Sequence, residues 1–133
     1  MNLKKILVPA LVVGVVANIF DAVVHGLILK DYYAGFAIFN QEMSMGWLVF
    51  GDFVAALVFV WVYDRVQASF SGGPKGGATY GLYAGVLVNF PTWIFSSMMI
   101  TGFTYGLAWI WTFVGIIWCV VNGAVMGAMY KKG

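Results

Sequence analysis

Four apolar stretches, approximately Ile6 to Leu29, Gly46 to Tyr63, Ala78 to Ile100 and Leu107 to Tyr130, occupy most of this sequence and leave only short connections between them. Each approaches or exceeds the roughly 20 residues that a helix needs to cross a hydrocarbon core about 30 Å thick. None alternates apolar with polar residues as a barrel strand does, and an open sheet would leave backbone groups unpaired in lipid, so helix is the expected state. The charge content agrees, because 62% hydrophobic against 9% charged residues is too little polarity to clothe a soluble domain of this size. The expected fold is all-α, a polytopic membrane protein of four transmembrane helices in which residues 1–133 make one domain.

The few basic residues set an orientation. Lys4 and Lys5 precede the first stretch, Arg65 and Lys75 lie in the second connection, and Lys131 and Lys132 end the chain, whereas Lys30 stands alone on the opposite side. Basic residues near helix ends are retained in the cytoplasm, so both termini are expected there, in the inner (plasma) membrane of the cell. Aromatic residues flank the spans accordingly, Tyr32, Tyr33, Trp47, Trp109 and Trp111 toward the outer boundary and Trp61, Tyr63 and Tyr130 toward the inner one. A net charge of +2 with scattered basic residues argues against a nucleic-acid surface. Cys119 is the only cysteine, which excludes an internal disulfide and a cysteine metal cluster. Val15-Val16-Ala17 loosely fits a signal cleavage site, but the apolar run continues to Leu29, and an uncleaved first helix is the expectation.

Two connections carry local signals. From Asp31 to Met45, the helical spacing of Tyr32, Phe36 and Phe39, followed by Asn40, Gln41 and Glu42, suggests a short segment lying on the lipid surface; an irregular hydrophobic loop is the alternative. Ser71-Gly72-Gly73-Pro74-Lys75-Gly76-Gly77 lacks the spacing of a phosphate loop and reads as a flexible turn.

The first and third stretches align without gaps at an offset of 71 residues, pairing Gly14 with Gly85, Asn18 with Asn89, Asp21 with Thr92 and His25 with Ser96. The spacings of 4, 3 and 4 put each set along one helix face. Two repeated helical hairpins in parallel orientation would result, an arrangement found among transporters.

The strongest chemical signal is the stripe Asn18, Asp21 and His25 on the first helix, with Asp52 inside the second. Ionisable groups at membrane depth normally face other helices or a wet cavity. At about 1.5 Å per residue Asp21 lies roughly 23 Å from the inner end of its span and Asp52 roughly 21 Å above that side, so the two carboxyls are expected to meet. In a dry site the pair would keep at least one proton unless His25 or a cation compensates, which makes Asp21, His25 and Asp52 a candidate proton or cation site, with Asn18 and Asn89 as further polar ligands. The plainer reading is structural: these groups pair across helices, and Asn18, Asn89 and Asn122 add amide bonds of about 0.6 kcal/mol each. A haem would need a second imidazole from another copy, or Met98 or Met99, and no cofactor is expected. No metal set, His-Glu-x-x-His motif or nucleophile with a recognisable base is present, and an enzyme is not expected.

Small residues mark packing faces. Gly77, Gly81 and Gly85 recur every four residues ahead of Asn89, and Gly123 and Gly127 form a second small pair after Gly115 and Asn122. Such faces either close the monomer or bind another subunit. Pro91, beside Asn89 and Thr92, frees a carbonyl about four residues earlier and is expected to kink the third helix.

The passages Asn18-Ile19-Phe20-Asp21-Ala22-Val23-Val24-His25-Gly26 and Tyr63-Asp64-Arg65, with the glycine-rich third helix, resemble a family of small bacterial four-helix membrane proteins. The resemblance covers most of the chain and implies the same fold, but carries over no activity, substrate or catalytic residue. The size is also similar to that of small multidrug transporters, whose first-helix glutamate is absent here; Asp21 is an imperfect substitute. Two functions follow as expectations. One is an accessory or scaffold subunit that packs through its glycine faces into a larger membrane complex, with the lipid bilayer as its other partner. The alternative is a small transporter or channel acting as a homo-oligomer through Asp21, His25 and Asp52.

Overall fold

A computed structural model describes residues 2–40 and 42–130. Its long helices are α1 (Leu3–Val23, continued by a π-helical turn over Val24–Ile28), α3 (Met45–Val66), α4 (Gly73–Met99) and α5 (Tyr105–Met129); α2 (Lys30–Tyr33) is a single turn. No strand occurs among the described residues. Four helices are long and apolar enough to cross a membrane, over Leu3–Ile28, Met45–Ser69, Gly73–Met99 and Tyr105–Met129, so this is a multi-pass membrane protein.

Polar residues fix where three spans start. Asn2 Oδ1 accepts from the Lys4 N–H at 3.2 Å, Ser44 Oγ from Trp47 N–H at 3.4 Å, and Thr104 Oγ1 from Leu107 N–H at 3.2 Å. Each satisfies a donor that the first helical turn leaves without an intrahelical partner. The glycine-rich stretch is not the flexible turn expected. Gly73 (φ +78°) and Pro74 open α4, and only residues 70–72 connect it to the short 3-10 turn Gln67–Ser69. Proline suits this position because its missing N–H would be unsatisfied there in any case.

α1 packs on α3, α4 packs far more extensively on α5, and α1 also lies along α5. The α4–α5 contact uses all five glycines of the expected packing faces. A Cβ at Gly77 would stand 1.9 Å from the Gly123 carbonyl oxygen, at Gly81 2.0 Å from that of Cys119, and at Gly127 2.4 Å from that of Gly73. A Cβ at Gly85 would lie 3.0 Å from the Ile116 Cα, and one at Gly123 2.2 Å from the Gly77 carbonyl oxygen. These faces therefore close the chain on itself, backbone against backbone.

The core sits toward the end that carries the termini. Ile6, Ala10 and Val13 of α1, Phe59, Val60 and Tyr63 of α3, Tyr80 of α4, and Cys119, Met126 and Tyr130 are buried together there. Aromatic rings join α3 to the other hairpin: Tyr80 lies tilted against Phe59 and Tyr63 at 4.9 and 5.1 Å between centroids, and Tyr130 meets Tyr63 edge-on at 5.4 Å. The Tyr130 hydroxyl donates to Asp64, and burial with that carboxylate beside it pushes the phenol up from its ordinary range, so it stays a donor. Lys5 lies 4.7 Å over the Tyr130 ring, which places both ends of the chain on one side. Lys131 and Lys132 of the orientation argument fall outside the described residues, as does Gln41.

The Tyr80 hydroxyl also donates to the Phe59 carbonyl at 3.0 Å, a direct tie from α4 to α3. Tyr80→Phe is expected to lower unfolding stability in mixed micelles by about 0.6 kcal/mol, the mean for a hydrogen bond between membrane helices. A variant as stable as the parent would show that the ring alone makes this contact.

At the opposite end the bundle opens. The first turns of α3, residues 45–55, contribute nothing to the buried core, and α1 contributes nothing beyond Ala17. The cover on α5 comes instead from the connection after α2: Tyr33, Phe36 and Phe39 pack against Phe103, Leu107, Ala108, Trp93 and Trp111. Of the two expectations for this connection, the irregular hydrophobic loop is the one that fits, since only Lys30–Tyr33 is helical and Tyr33, Phe36 and Phe39 pack inward while Tyr32 stays exposed. α4 runs unbroken through Pro91 for 27 residues. Its nearby hydroxyls bond to their own helix, Thr92 to the Val88 carbonyl and Ser96 to that of Thr92.

Candidate functional site

The site forms where the core gives out. α1 rises and α3 descends, and both place a carboxylic acid at the same depth, so that Asp21 and Asp52 stand as neighbours. One turn beyond Asp21 on the same face, His25 Nε2 lies 3.9 Å from Asp21 Oδ1, in ion-pair range but too far for a hydrogen bond. The two side chains are 35% and 34% exposed, so the site is open on one flank rather than sealed in the core.

His25 belongs to the π-helical turn, in which the Leu29 N–H reaches back five residues to the Val24 carbonyl at 2.8 Å. Such turns widen the helix by one residue and recur at functional positions. Beyond it the chain folds over, and α2 brings the Tyr33 hydroxyl to His25 Nδ1, with which it is hydrogen-bonded. The two rings lie nearly parallel, 17° apart, at 5.8 Å. Trp111 of α5 donates its indole N–H to the same Tyr33 oxygen at 2.7 Å and stands edge-on to both rings at 6.2 Å. Tyr33 lies outside the spans, and burial raises its phenol, more than the Trp111 bond lowers it, so the oxygen keeps its proton. A continuous set of polar contacts thus leads from Trp111 through Tyr33 and His25 to the carboxyl pair.

Of the residues singled out in the sequence, Asp21, His25 and Asp52 come together. Asn18 and Asn89 do not join them. Asn18 Nδ2 donates to the Gly14 carbonyl at 2.8 Å, Asn89 Nδ2 to that of Gly85 at 2.9 Å, and Asn122 Nδ2 to that of Trp118 at 3.0 Å, each four residues back on its own helix. Asn89 also accepts the Trp93 indole N–H at 3.1 Å and fills the space left by Gly115, where a Cβ would lie 1.9 Å from its Oδ1. Its role is to organise α4 against α5. Tyr33 and Trp111 carry no such signal in the sequence, where they read as boundary aromatics. A hint existed in their chemistry alone, since a buried phenol or indole seeks a polar partner.

Among the described residues no three His, Cys, Asp or Glu side chains are grouped to hold a metal ion. Met98 and Met99 are each 76% exposed at the end of α4, and both nitrogens of His25 face protein groups, so no haem ligand set is built here. What the arrangement can handle is protons: two carboxyls, an imidazole and a phenol in sequence, with one open flank.

In comparisons with known proteins the chain matches no family model, no curated protein and no solved structure. The functional reading therefore rests on the chemistry of the site.

Proposed function

We propose that this chain is a small inner-membrane transporter or channel that binds and releases a proton at the Asp21–Asp52 pair, acting as an oligomer. The nearness of the two carboxyls carries the reading. Two carboxylates side by side at membrane depth repel each other, and a proton taken up between them relieves that repulsion. Such groups at membrane depth face protein or water, and a flank about one-third open needs a wet path or a neighbouring copy to cover it.

Lys4, Lys5, Arg65 and Lys75 gather at the end that holds the termini, with Lys30 at the other, which supports cytoplasmic termini and, with them, a carboxyl pair in the outer half of the membrane. The match of Gly14 and Asn18 with Gly85 and Asn89, 71 positions apart, supports duplication of a helical hairpin as the origin of the frame. In that reading the first copy kept acids where the second has Thr92 and Ser96. The scaffold alternative must use a surface other than the glycine faces, which are spent between α4 and α5.

The test is infrared difference spectroscopy on protein reconstituted in lipid and stepped in pH. One protonated-carboxyl band is expected, lost in both Asp21→Asn and Asp52→Asn. A band that persists in both variants, or none in the parent, ends the reading.

A further inference from the structure

Trp111 and Tyr33 carry no charge, yet they form one hydrogen-bonded chain with the His25 imidazole. We propose that they are positioning residues that fix neutral His25 as the Nε2–H tautomer, which puts the hydrogen on the nitrogen nearer Asp21. The significance of the tautomer rests on the proton-site reading; its existence does not.

The argument is a count of hydrogens. An indole nitrogen only donates, so at 2.7 Å the Trp111 N–H occupies one lone pair of the Tyr33 oxygen. A phenol O–H lies near the plane of its ring and has two orientations. With Trp111 on that oxygen as a donor only, the phenol's own hydrogen has His25 Nδ1 as its remaining polar neighbour. Tyr33 therefore donates and Nδ1 accepts. A neutral imidazole whose Nδ1 accepts carries its hydrogen on Nε2, the nitrogen that faces Asp21. In the reverse tautomer Nδ1–H would become a second donor to that oxygen and the Tyr33 O–H would lose its acceptor, since no other hydrogen-bond partner of that hydroxyl occurs among the described residues. Because burial keeps the phenol protonated, Tyr33 does not escape the conflict by ionising.

The groups around the imidazole come from four elements: Asp21 on α1, Asp52 on α3, Tyr33 on α2 and Trp111 on α5. Only Tyr33 bonds to Nδ1. Asp21 takes the other nitrogen as its nearer neighbour, so the relay has a direction: the imidazole presents a donor to the carboxyl pair and an acceptor to the phenol.

Nitrogen-15 NMR of His25-labelled protein in lipid bilayers above the range of imidazole protonation reads the tautomer directly, and no other histidine is present to confuse it. The parent is expected to show Nε2–H alone, with the Nδ1 shift of an acceptor and a through-bond coupling to the Tyr33 hydroxyl proton. In Tyr33→Phe the Nδ1–H fraction is expected to rise at least about fivefold, the equilibrium factor of one net hydrogen bond, with a smaller rise in Trp111→Phe. An Nδ1–H parent overturns the proposal, as does a ratio unmoved in folded Tyr33→Phe. The measurement on the parent stands even where a variant fails to fold. A protein with this tautomer but no shared proton on Asp21 and Asp52 would keep the inference and remove the proton-site reading.

Discussion

Gly81→Ala is expected to destabilise the protein by about 2 to 3 kcal/mol, the upper part of the range for overpacking a close contact. The new Cβ would lie 2.0 Å from the Cys119 carbonyl oxygen and 2.6 Å from its carbon. Both are backbone atoms of a continuous helix, so no side-chain rotation relieves the clash; α4 and α5 must separate along the row formed by Gly77, Gly81, Gly123 and Gly127. Gly77→Ala meets the Gly123 backbone at 1.9 Å and should cost as much. Gly85→Ala, whose nearest atom is the Ile116 Cα at 3.0 Å, should cost less. Gly26 and Gly51 have nothing within 4 Å of a Cβ, and Gly51→Ala should be neutral or stabilising by up to about 1 kcal/mol through helix propensity. Reversible unfolding in mixed micelles, followed by tryptophan fluorescence, ranks the four. Gly81→Ala and Gly51→Ala of equal stability would mean that the helices do not approach this closely.

The spans were legible in the sequence because lipid imposes one demand, a run of apolar residues long enough to cross. Their ends were less so. α4 starts at Gly73 rather than near Ala78, since a Gly-Pro pair that reads as a turn also suits a helix start, and Gly76 and Gly77 are needed within the helix for close approach. The glycine row itself was plain; its partner was not, because a small-residue face has no side chain with which to name what it meets. The meeting of Asp21 and Asp52 was accessible through depth alone, as antiparallel spans share one ruler. Asn18, Asn89 and Asn122 show the opposite case. An amide within a helix has a carbonyl always in reach four residues back, and each takes it instead of a neighbouring helix. Tyr33 and Trp111 lay beyond sequence reasoning for a different reason. They are 78 residues apart, and the π-helical turn and the fold-over of α2 that bring them to His25 have no periodic pattern to announce them.

Proton flux gives the sharpest functional contrast. In proteoliposomes under an imposed pH gradient, Asp52→Asn and Asp21→Asn are each expected to reduce flux about 100-fold, the lower end of what a positioned proton-transfer group contributes. The double variant should be no slower than either single one, because a proton shared by two carboxyls is lost when either is removed, and groups acting as one unit do not add. Additivity would mean two separate sites. Asn18→Ala supplies the control at nearly the same depth: its amide bonds only to the Gly14 carbonyl of its own helix, so flux should stay close to that of the parent. Substantial flux through Asp21→Asn and Asp52→Asn alike would remove the carboxyl pair from the path, and with it the reason to read this chain as a proton carrier.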